Sequence, residues 1–522
     1  MKRVLRRISL ALAVALVLSA ALAGCGGNGG SSEDVSSAAS AKPEAAGSGG
    51  NDGSSSAASP SIDTSKSVEL QWYFLGSPPQ DFDDVLAELN NKAKADLNCS
   101  VTATWIGWGD YATKYPLVMA SGESVDLTYG ALWMDFAGEA SKGAYHPLEE
   151  LAPVYSPESY KQMPEDAIKQ LSVNGHLYGI TSSYNQYQVM GYIVRGDLMK
   201  KYGIAEIKSM DDMGKFYDAV LKNDPGIDPS GFGNNGFLIQ YQPQLLGLYS
   251  VTGIYNFPLC VDPTDPEGKI VNFYERPEMA DFFAKMKQWS DAGYWPKDVL
   301  SGKNNSSTVI SGTSAAELHN QNDWVRDYMA APQYDLKFYP AQPHSYKSPY
   351  TQNVICVGAA AANPERSLML LEKLMNDQSY YNLIEYGVEG KDYTLTSDGK
   401  LKPTDPNVFS PEGISFGWAI RNEKFRKILE GSPPDIEAVM KNVDAIGADN
   451  RYINFTFNTD PVKNEMAAIQ SVLDQYANPL ALGYIDPVKG LALLKEKLAL
   501  AGLATVQPEL QKQLDEFNAS YK

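Results

Sequence analysis

Short apolar runs alternate with amphipathic helix patterns in the first half of the chain, and this alternation limits the folds open to it. Residues 68–74 and 100–106 have the apolar, β-branched and aromatic composition of strands. Between them Phe82, Val85 and Leu89 recur at helical spacing, and a second helix over 111–120 precedes a strand at 125–129. Strands and helices that alternate across short turns favour an α/β fold, with a mostly parallel sheet flanked by helices.

In sheets of this kind the ligand binds beyond the carboxyl ends of the parallel strands. We therefore expect functional loops at residues 76–81, 107–110 and 131–136, which follow the first three strands. Trp108 and Trp133 stand in two of these loops. The loops are the first place to look for a binding site.

Strand and helix patterns continue through the second half of the chain. A strand is predicted over 189–194, helices over 210–222 and 277–292, and a buried strand over 354–359. Asn363 and Pro364 indicate the start of a helix, and the last ~40 residues are predicted to be helical. About 455 residues follow residue 66, which is more than one hydrophobic core usually supports, so we expect two lobes.

The N-terminus has the pattern of a secretory signal peptide. Four basic residues among the first seven precede an apolar run over 8–21, shorter than the roughly 20 residues that span a bilayer. The run ends in Leu22-Ala23-Gly24-Cys25, which resembles the lipobox of bacterial lipoproteins. This resemblance implies a signal peptide over 1–24 and a Cys25 that carries diacylglycerol and fatty acid such as palmitate. The alternative is an ordinary secreted protein in which Cys25 stands near the cleavage site by chance.

Residues 25–66 are predicted to comprise the lipidated cysteine and a disordered linker. Of the 35 residues from 26 to 60, 25 are Gly, Ser or Ala, and none is aromatic. Such a segment has too little apolar surface to offset its ordering entropy. As a coil it would hold the folded part about 30–35 Å from the membrane.

The net charge argues against several classes of ligand, and the number of cysteines limits the disulfides that can form. The formal net charge is −19, which argues against binding of nucleic acid, anionic lipid or a highly anionic ligand. Besides Cys25 there are three cysteines, Cys99, Cys260 and Cys356, so at most one disulfide can form among them. Cys99 and Cys356 lie in strand-like runs, which favours buried thiols. No metal-binding spacing is visible, and we expect neither a metal nor a cofactor.

Several short motifs, in their order along the chain, match a known family. They are Asp110-Tyr111-Ala112-Thr113-Lys114, Ala120-Ser121-Gly122-Glu123, Gly143-Ala144-Tyr145-His146-Pro147-Leu148, Val173-Asn174-Gly175-His176-Leu177-Tyr178-Gly179-Ile180 and Arg195-Gly196-Asp197-Leu198. Together they resemble the extracellular solute-binding lipoproteins (family 1 type) of bacterial ABC importers. The stretches 385–393, 460–465 and 510–517 resemble the branch with an extra conserved C-terminal region. One departure is Thr181, which follows Ile180 where the family usually has a proline.

This resemblance implies a two-lobed clamshell of the type II periplasmic-binding-protein kind, in which each lobe is a mostly parallel sheet flanked by helices. Residues 67–186 and 350–395 are expected to form lobe I. Residues 187–349 and 396–522 are expected to form lobe II with the C-terminal helical region. The implied protein is a monomeric receptor, lipid-anchored at the extracellular face of the cell membrane, that does no chemistry. It would deliver an oligosaccharide to the permease subunits of an ABC transporter.

Nine residues in or near the expected cleft are predicted to contact the ligand. They are Trp105, Trp108, Tyr111, Trp133, Tyr184, Tyr187, Asn322, Trp324 and Trp418. Sugars have apolar C–H faces edged by hydroxyl groups, so flat aromatic side chains beside polar ones suit them. For each aromatic residue the alternative is packing in a core. Residues 320–324 resemble the family's second-lobe ligand loop, whereas Trp72 and Trp289 are predicted to be core residues.

Two other functions stay open. One is a receptor for a non-sugar solute, such as a peptide or another metabolite. The other is a secreted carbohydrate-active enzyme, because a glycosidase needs only two suitably spaced carboxylates and the chain has 63 acidic residues. Residues 231–236 match the glycine fingerprint of dinucleotide-binding folds, but Asp228-Pro229-Ser230 before them does not read as a strand, so a loop is predicted.

Overall fold

The computed structural model describes residues 63–183, 187–231, 242–254, 256–301 and 308–520. The signal peptide, Cys25 and most of the predicted linker therefore lie outside the described residues. Within the described ranges, no helix combines the length and the apolar composition needed to cross a membrane.

The first part of the chain follows the predicted alternation of strands and helices. Its elements are β1 (Val68–Leu75), α1 (Phe82–Leu97), β2 (Cys99–Ile106), α2 (Tyr111–Ala120), β3 (Leu127–Gly130), α3 (Phe136–Ser141), α4 (Ala152–Tyr155), α5 (Pro157–Gln162), α6 (Glu165–Leu171), β4 (Ser172–Val173) and β5 (His176–Leu177). Leu70, Trp72 and Phe74 alternate along β1 on one buried face, and Phe82, Val85 and Leu89 line the buried side of α1. The period-2 pattern of β1 and the helical spacing of α1 therefore mark the faces of these two elements that are buried.

The middle of the chain carries the second set of strands. Its elements are β6 (Tyr187–Gln188), β7 (Met190–Val194), α7 (Gly196–Tyr202), α8 (Met210–Asn223), β8 (Asp228–Ser230), α9 (Gln242–Leu245), β9 (Leu259–Cys260), β10 (Val271–Asn272), α10 (Pro277–Ala292), β11 (Ser314–Asn320), α11 (Gln321–Ala330), β12 (Lys337–Pro340) and β13 (Tyr346–Lys347). β8 corrects one expectation, because residues 228–230 do form a strand. Pro229 fits there because β8 is an edge strand, paired only with β11.

The last part returns to the first sheet and then continues into a helical region. Its elements are β14 (Val354–Cys356), α12 (Pro364–Asn376), α13 (Gln378–Tyr386), β15 (Tyr393–Leu395), β16 (Leu401–Pro403), α14 (Ser415–Ile420), α15 (Ile436–Ala445), α16 (Lys463–Val472), α17 (Asn478–Ala481), α18 (Pro487–Leu500) and α19 (Leu503–Ser520). α12 begins at Pro364 as predicted. Asn363 makes no side-chain capping bond; its backbone N–H instead donates to the buried Asp126 carboxylate at 3.0 Å.

Two four-stranded sheets organise the fold. The first has the order β14-β3-β1-β2, with β1, β2 and β3 parallel and β14 antiparallel at its edge. The second has the order β12-β7-β11-β8. β7 runs antiparallel to both of its neighbours, while β8 is parallel to β11, so three of its four strands share one direction. The α/β class is confirmed. The antiparallel strand of the second sheet, β7, lies inside that sheet and not at its edge.

Separate cores cover the two sheets. The first contains residues from 70–180 together with 354–420, and the second contains residues from 192–316 together with 452–514. A smaller third core, which includes Val189, Ile193, Trp324 and Phe338, covers the other face of β7. The prediction that lobe II resumes at residue 396 is wrong for residues 401–420. Leu401, Phe409 and Phe416 are buried in the first core.

Three crossing segments join the two cores: the first includes 181–183 and 187–189, with 184–186 outside the described residues, and the others lie at about 341–353 and 430–451. The first two pair as a short ribbon, in which Tyr346 of β13 faces Gln188 of β6 and Lys347 faces Tyr187. The third packs onto this ribbon, since Ser345 N–H donates to Ile446 O at 2.9 Å and Ala448 N–H donates to Ser345 O at 2.9 Å. The crossing segments therefore form one hydrogen-bonded unit between the two lobes.

Candidate functional site

The strand registers give a candidate position for a ligand cleft. Gly130, the last residue of β3, pairs with Val354, the first residue of β14 after the second crossing. Asn320, the last residue of β11, pairs with Met190, the first residue of β7 after the first crossing. The carboxyl ends of β3 and β11 thus both adjoin the crossing segments. This is the position that open α/β sheets use for ligands.

Four half-buried aromatic residues meet at the carboxyl end of the first sheet, and we call them the aromatic platform: Trp108, Tyr111, Trp133 and Trp418. The ring centroids of Trp108 and Trp418 lie 6.0 Å apart with an interplanar angle of 17°. Trp108 and Trp133 are 6.1 Å apart, and Tyr111 meets Trp133 edge-on at 5.4 Å. The sequence alone placed all four among the candidate ligand contacts. The structure brings them together.

Each member of the platform is held by a different element. Trp108 stands in the loop after β2, and Trp133 in a single turn of 3₁₀ helix after β3. Trp418 comes from α14, where Phe416 two residues earlier is fully buried and meets Trp72 edge-on, with centroids 4.1 Å apart. The Trp418 indole N–H donates to Glu412 O at 2.9 Å. A core contact and a backbone hydrogen bond therefore orient the Trp418 ring.

Beneath the platform lies a fifth ring, which the sequence did not single out. Tyr129 of β3 is buried, and its ring centroid lies 6.0 Å from that of Trp133 and 6.1 Å from that of Trp418. Its hydroxyl donates to Asn353 Oδ1 at 2.5 Å, in the second crossing segment. Tyr129 thus connects the platform to the second crossing segment. Only its place at the end of an apolar strand could have indicated this.

The platform is an apolar surface with polar edges. Partial burial raises the pKa of the Tyr111 hydroxyl, so this group stays protonated and can donate a hydrogen bond. Among the described residues no three His, Cys, Asp or Glu side chains gather as a metal site. Burial raises the pKa of the Cys99 thiol to about 11, and the structure shows Cys99, Cys260 and Cys356 as free, buried thiols.

Charged side chains collect where β11 meets α11, at the carboxyl end of the second sheet. Asp323 pairs with both His319 and Arg326, and Arg326 also lies 3.7 Å from Asp327. Burial acts to raise the pKa of Asp323, but the Arg326 and His319 charges outweigh it and hold this pKa below its usual range. The ion pairs of this cluster were not predicted, although Asn322 and Asp323 lie in the stretch 320–324 that resembles the family's ligand loop. The first turn of α11 leaves Asn322 exposed, while Asn320 caps the helix through Asn322 N–H at 2.9 Å.

The first crossing segment is fastened to α11. The fully buried Gln321 accepts from Val189 N–H at 3.0 Å and donates to Tyr187 O at 3.0 Å. Tyr187, a predicted ligand contact, lies in the hinge ribbon with the Lys347 ammonium 5.7 Å from its ring centroid. Thr181, which departs from the family pattern, donates from its hydroxyl to Asn353 O at 2.6 Å. This bond fastens the first crossing segment to the second.

Two of the nine predicted contacts are not part of this arrangement, and a third lies outside the described residues. Trp324 is fully buried on α11, and its indole N–H donates to Leu336 O at 2.8 Å. Because α11 covers the outer face of β7, Trp324 belongs to the third core. The prediction that Trp324 contacts the ligand is therefore corrected. Trp105 is half-buried, stacks on Phe74 at 4.7 Å and meets Phe82 of α1 edge-on at 5.0 Å. Tyr184 lies outside the described residues.

The fold and the site define a two-lobed solute-binding protein. Residues 88–388, more than half of the chain, match the family model described as bacterial extracellular solute-binding protein, and the chain belongs to this family. Residues 451–519 match a second model, described as a domain of unknown function (DUF3502). These residues contain α16 to α19, the C-terminal region that the sequence motifs indicated. Membership of this family implies a location on the outer side of the membrane.

The relatives and solved structures agree with this assignment. A carbohydrate ABC transporter substrate-binding protein of Streptococcus pneumoniae serotype 4 is 26% identical over 474 residues, which cover 88% of this chain and 92% of the relative. The N-glycan transport solute-binding protein NgtS of Streptococcus pneumoniae has a TM-score of 0.72 at 25% identity, over 88% of this chain and 100% of that one. FusA of the same species, in complex with kestose, has a TM-score of 0.58 at 16% identity, over 87% of this chain and 100% of FusA, and shows the fold alone. These relatives are named as binding proteins rather than enzymes.

One glycine tests how the platform is held. Gly76 has a φ of +108°, and a Cβ there would lie 2.9 Å from Trp108 Nε1. Gly76→Ala should displace the Trp108 ring and change the near-ultraviolet circular dichroism, besides a stability loss of about 1–3 kcal/mol from the backbone. Gly122→Ala is the matched control, since Gly122 has a φ of +78° and nothing within 4 Å of its Cβ position. Equal spectra for the two variants would contradict this account of the loop.

Proposed function

We propose that this protein captures an oligosaccharide in the cleft between its lobes and delivers it to an ABC permease. The observation that carries the proposal is the aromatic platform, four half-buried rings at the carboxyl end of the first sheet. Packing of a hydrophobic core does not require three neighbouring tryptophans to stay half-exposed. Exposed apolar surfaces of this kind mark ligand-binding or interaction sites.

The platform suits sugars on energetic grounds. An aromatic side chain buries 150–250 Å² in all, and shielding a third of that from water is worth roughly 1.2–2 kcal/mol at ~25 cal/mol/Å². Four rings together contribute roughly 5–8 kcal/mol before the cost of association, so polar contacts with the ligand must supply the rest of the ~8 kcal/mol of micromolar binding. Hydroxyl groups at the rim of the ligand would face Asn322 and the charged residues around Asp323, on the opposite lobe.

The chemistry of the relatives supports the same class of ligand. NgtS was crystallised with Man1GlcNAc and with Man5GlcNAc, and FusA with kestose. All three ligands are neutral oligosaccharides. A neutral ligand also fits a chain with a formal net charge of −19.

The hinge supports closure of the two lobes around the ligand. The crossing segments are bonded to one another, while each lobe has its own core, so the lobes can turn as rigid bodies about the ribbon of β6 and β13. Outside the ribbon the lobes touch beside the platform, where a Cβ on Gly253 would lie 3.5 Å from Leu132. A closed, ligand-bound form is what a permease can distinguish from the empty receptor.

The first test is a thermal-shift panel with tryptophan variants. Man5GlcNAc, kestose and cycloalternan, set beside a peptide mixture, are suitable probes, since a ligand at 100 times its Kd adds about 2.7 kcal/mol of stability. Trp108→Ala and Trp418→Ala should each weaken binding of the active glycan about 8- to 30-fold, which corresponds to the roughly 1.2–2 kcal/mol per ring. Trp289→Phe, buried in the second core, is the control and should bind as the wild type does.

Two results would overturn the sugar proposal. Stabilisation by peptides alone would make the protein a receptor for another solute. Turnover of a glycan by the purified protein would make it a carbohydrate-active enzyme. In either case the Trp108→Ala variant would still show whether the platform takes part.

The attachment to the cell is a separate part of the proposal. Cys25, acylated after removal of residues 1–24, would hold the monomeric receptor beside its permease, since two or three acyl chains anchor stably where one is marginal. Cys25→Ser should therefore release the protein into the culture medium, measured by fractionation of cells and supernatant. Ser31→Ala in the linker should stay with the membrane. Retention of the Cys25→Ser protein on the membrane would contradict the lipid anchor.

A further inference from the structure

A buried carboxylic acid lies directly under the helix that carries Trp418. Glu385, on α13, is 3% exposed. A Cβ at Gly417 of α14 would lie 2.5 Å from Glu385 Oε1 and 3.0 Å from Oε2. The carboxyl group is therefore pressed against the α14 backbone one residue before Trp418. Only a residue without a side chain leaves it this space.

A second connection joins the same two residues. Glu412 N–H donates to Glu385 O at 2.8 Å, and Glu412 O accepts the Trp418 indole N–H at 2.9 Å. The Glu412 carboxylate is held by Arg426, with Nε at 2.8 Å and Nη2 at 3.2 Å. Glu412 has a φ of +57°, so a strained backbone position separates the two hydrogen bonds. Trp418 is thus linked to Glu385 both through Gly417 and through Glu412.

The charged and titratable groups around Glu385 lie on α13 and on the segments before and after α14. Tyr381 and Tyr386 stand beside it on α13, Glu412 precedes α14, and Arg421 and Arg426 follow α14. Both arginines have partners of their own, Glu423 and Glu412. Burial and the nearby Glu412 charge raise the pKa of Glu385 to about 8, because the arginines compensate only in part.

We propose that Glu385 is a positioning residue for the platform: its neutral carboxyl group supports Gly417, and its ionisation displaces Trp418 and weakens ligand binding. The inference rests on the proposed function of the platform. Ionised Glu385 would be a buried charge that repels the Glu412 carboxylate. Relief of this repulsion moves Glu412 or α14, and either movement alters the Trp418 indole bond. Ligand affinity should then fall as the pH rises through the pKa of Glu385.

The sign of the stability change follows from the same shift. Between the ordinary pKa of a glutamate and the raised pKa of Glu385, the folded state binds more protons than the unfolded state, so stability falls as the pH rises. Glu385→Gln, which keeps the shape without the ionisable proton, should remove this part of the fall. Glu88→Gln, an exposed glutamate of α1, should leave it in place.

The test has one readout without ligand and one with it. Tryptophan emission of the ligand-free protein, followed from about pH 6.5 to about pH 9.5, should change with a midpoint near 8. The change should be absent in Glu385→Gln and in Trp418→Phe, and present in Glu88→Gln. Affinity for the most stabilising glycan of the thermal-shift panel should fall about tenfold over the same range in the wild type. In Glu385→Gln it should stay near the neutral-pH value.

Gly417→Ala is a second variant that tests the same contact if Glu385→Gln does not fold. Its methyl group would push Trp418 away at every pH, so affinity should drop about tenfold with little dependence on pH. A glycan that binds with the same pH profile in wild type and Glu385→Gln overturns the positioning role while leaving the proposed function intact. If no glycan binds, an emission change that depends on Glu385 supports the positioning role, and only the proposed function fails.

Discussion

The contact between Phe416 and Trp72 is the interaction on which the proposed binding site depends. Trp72 lies in the middle of β1, and Phe416 reaches it only after the chain has passed through the second lobe and returned. This contact fixes α14 against the first sheet, and α14 in turn carries Trp418 to within 6.0 Å of Trp108. The platform therefore forms only when segments more than 300 residues apart in the sequence have packed together. The core of the first lobe and its proposed ligand surface therefore depend on the same packing.

The hinge uses a different kind of interaction. Its contacts are hydrogen bonds between backbone groups and buried amides, such as those of Gln321 with Tyr187 and Val189. Such bonds leave the crossing segments defined in register but allow small changes of backbone angle, as a hinge requires. Asn454, beyond the third crossing, also donates to Asp166 of α6 at 3.1 Å, so a contact between the lobes exists apart from the ribbon. The proposed closure would have to keep or exchange this contact.

Much of the fold followed from local pattern, and much of the site did not. The period-2 strand β1 and the helical spacing in α1 were readable because each element buries one face, and the loops after β2 and β3 followed from the parallel sheet. Trp324 was misread because its helix crosses the outer face of the second sheet, which no local pattern reveals. Residues 401–420 were assigned to the wrong lobe for a similar reason. The point at which the chain leaves the first lobe for the second time depends on long-range packing. Tyr129 and the ion pairs of Asp323 belong to this class too.

The central claim is that two lobes close on a sugar held against the aromatic platform. Small-angle X-ray scattering of the folded domain, with and without the glycan that stabilises it most, tests this most directly. The radius of gyration should be smaller with the glycan, and it should not change for a Trp108→Ala, Trp418→Ala double variant at the same glycan concentration. An unchanged radius for the wild type, at a concentration that saturates binding, would contradict it.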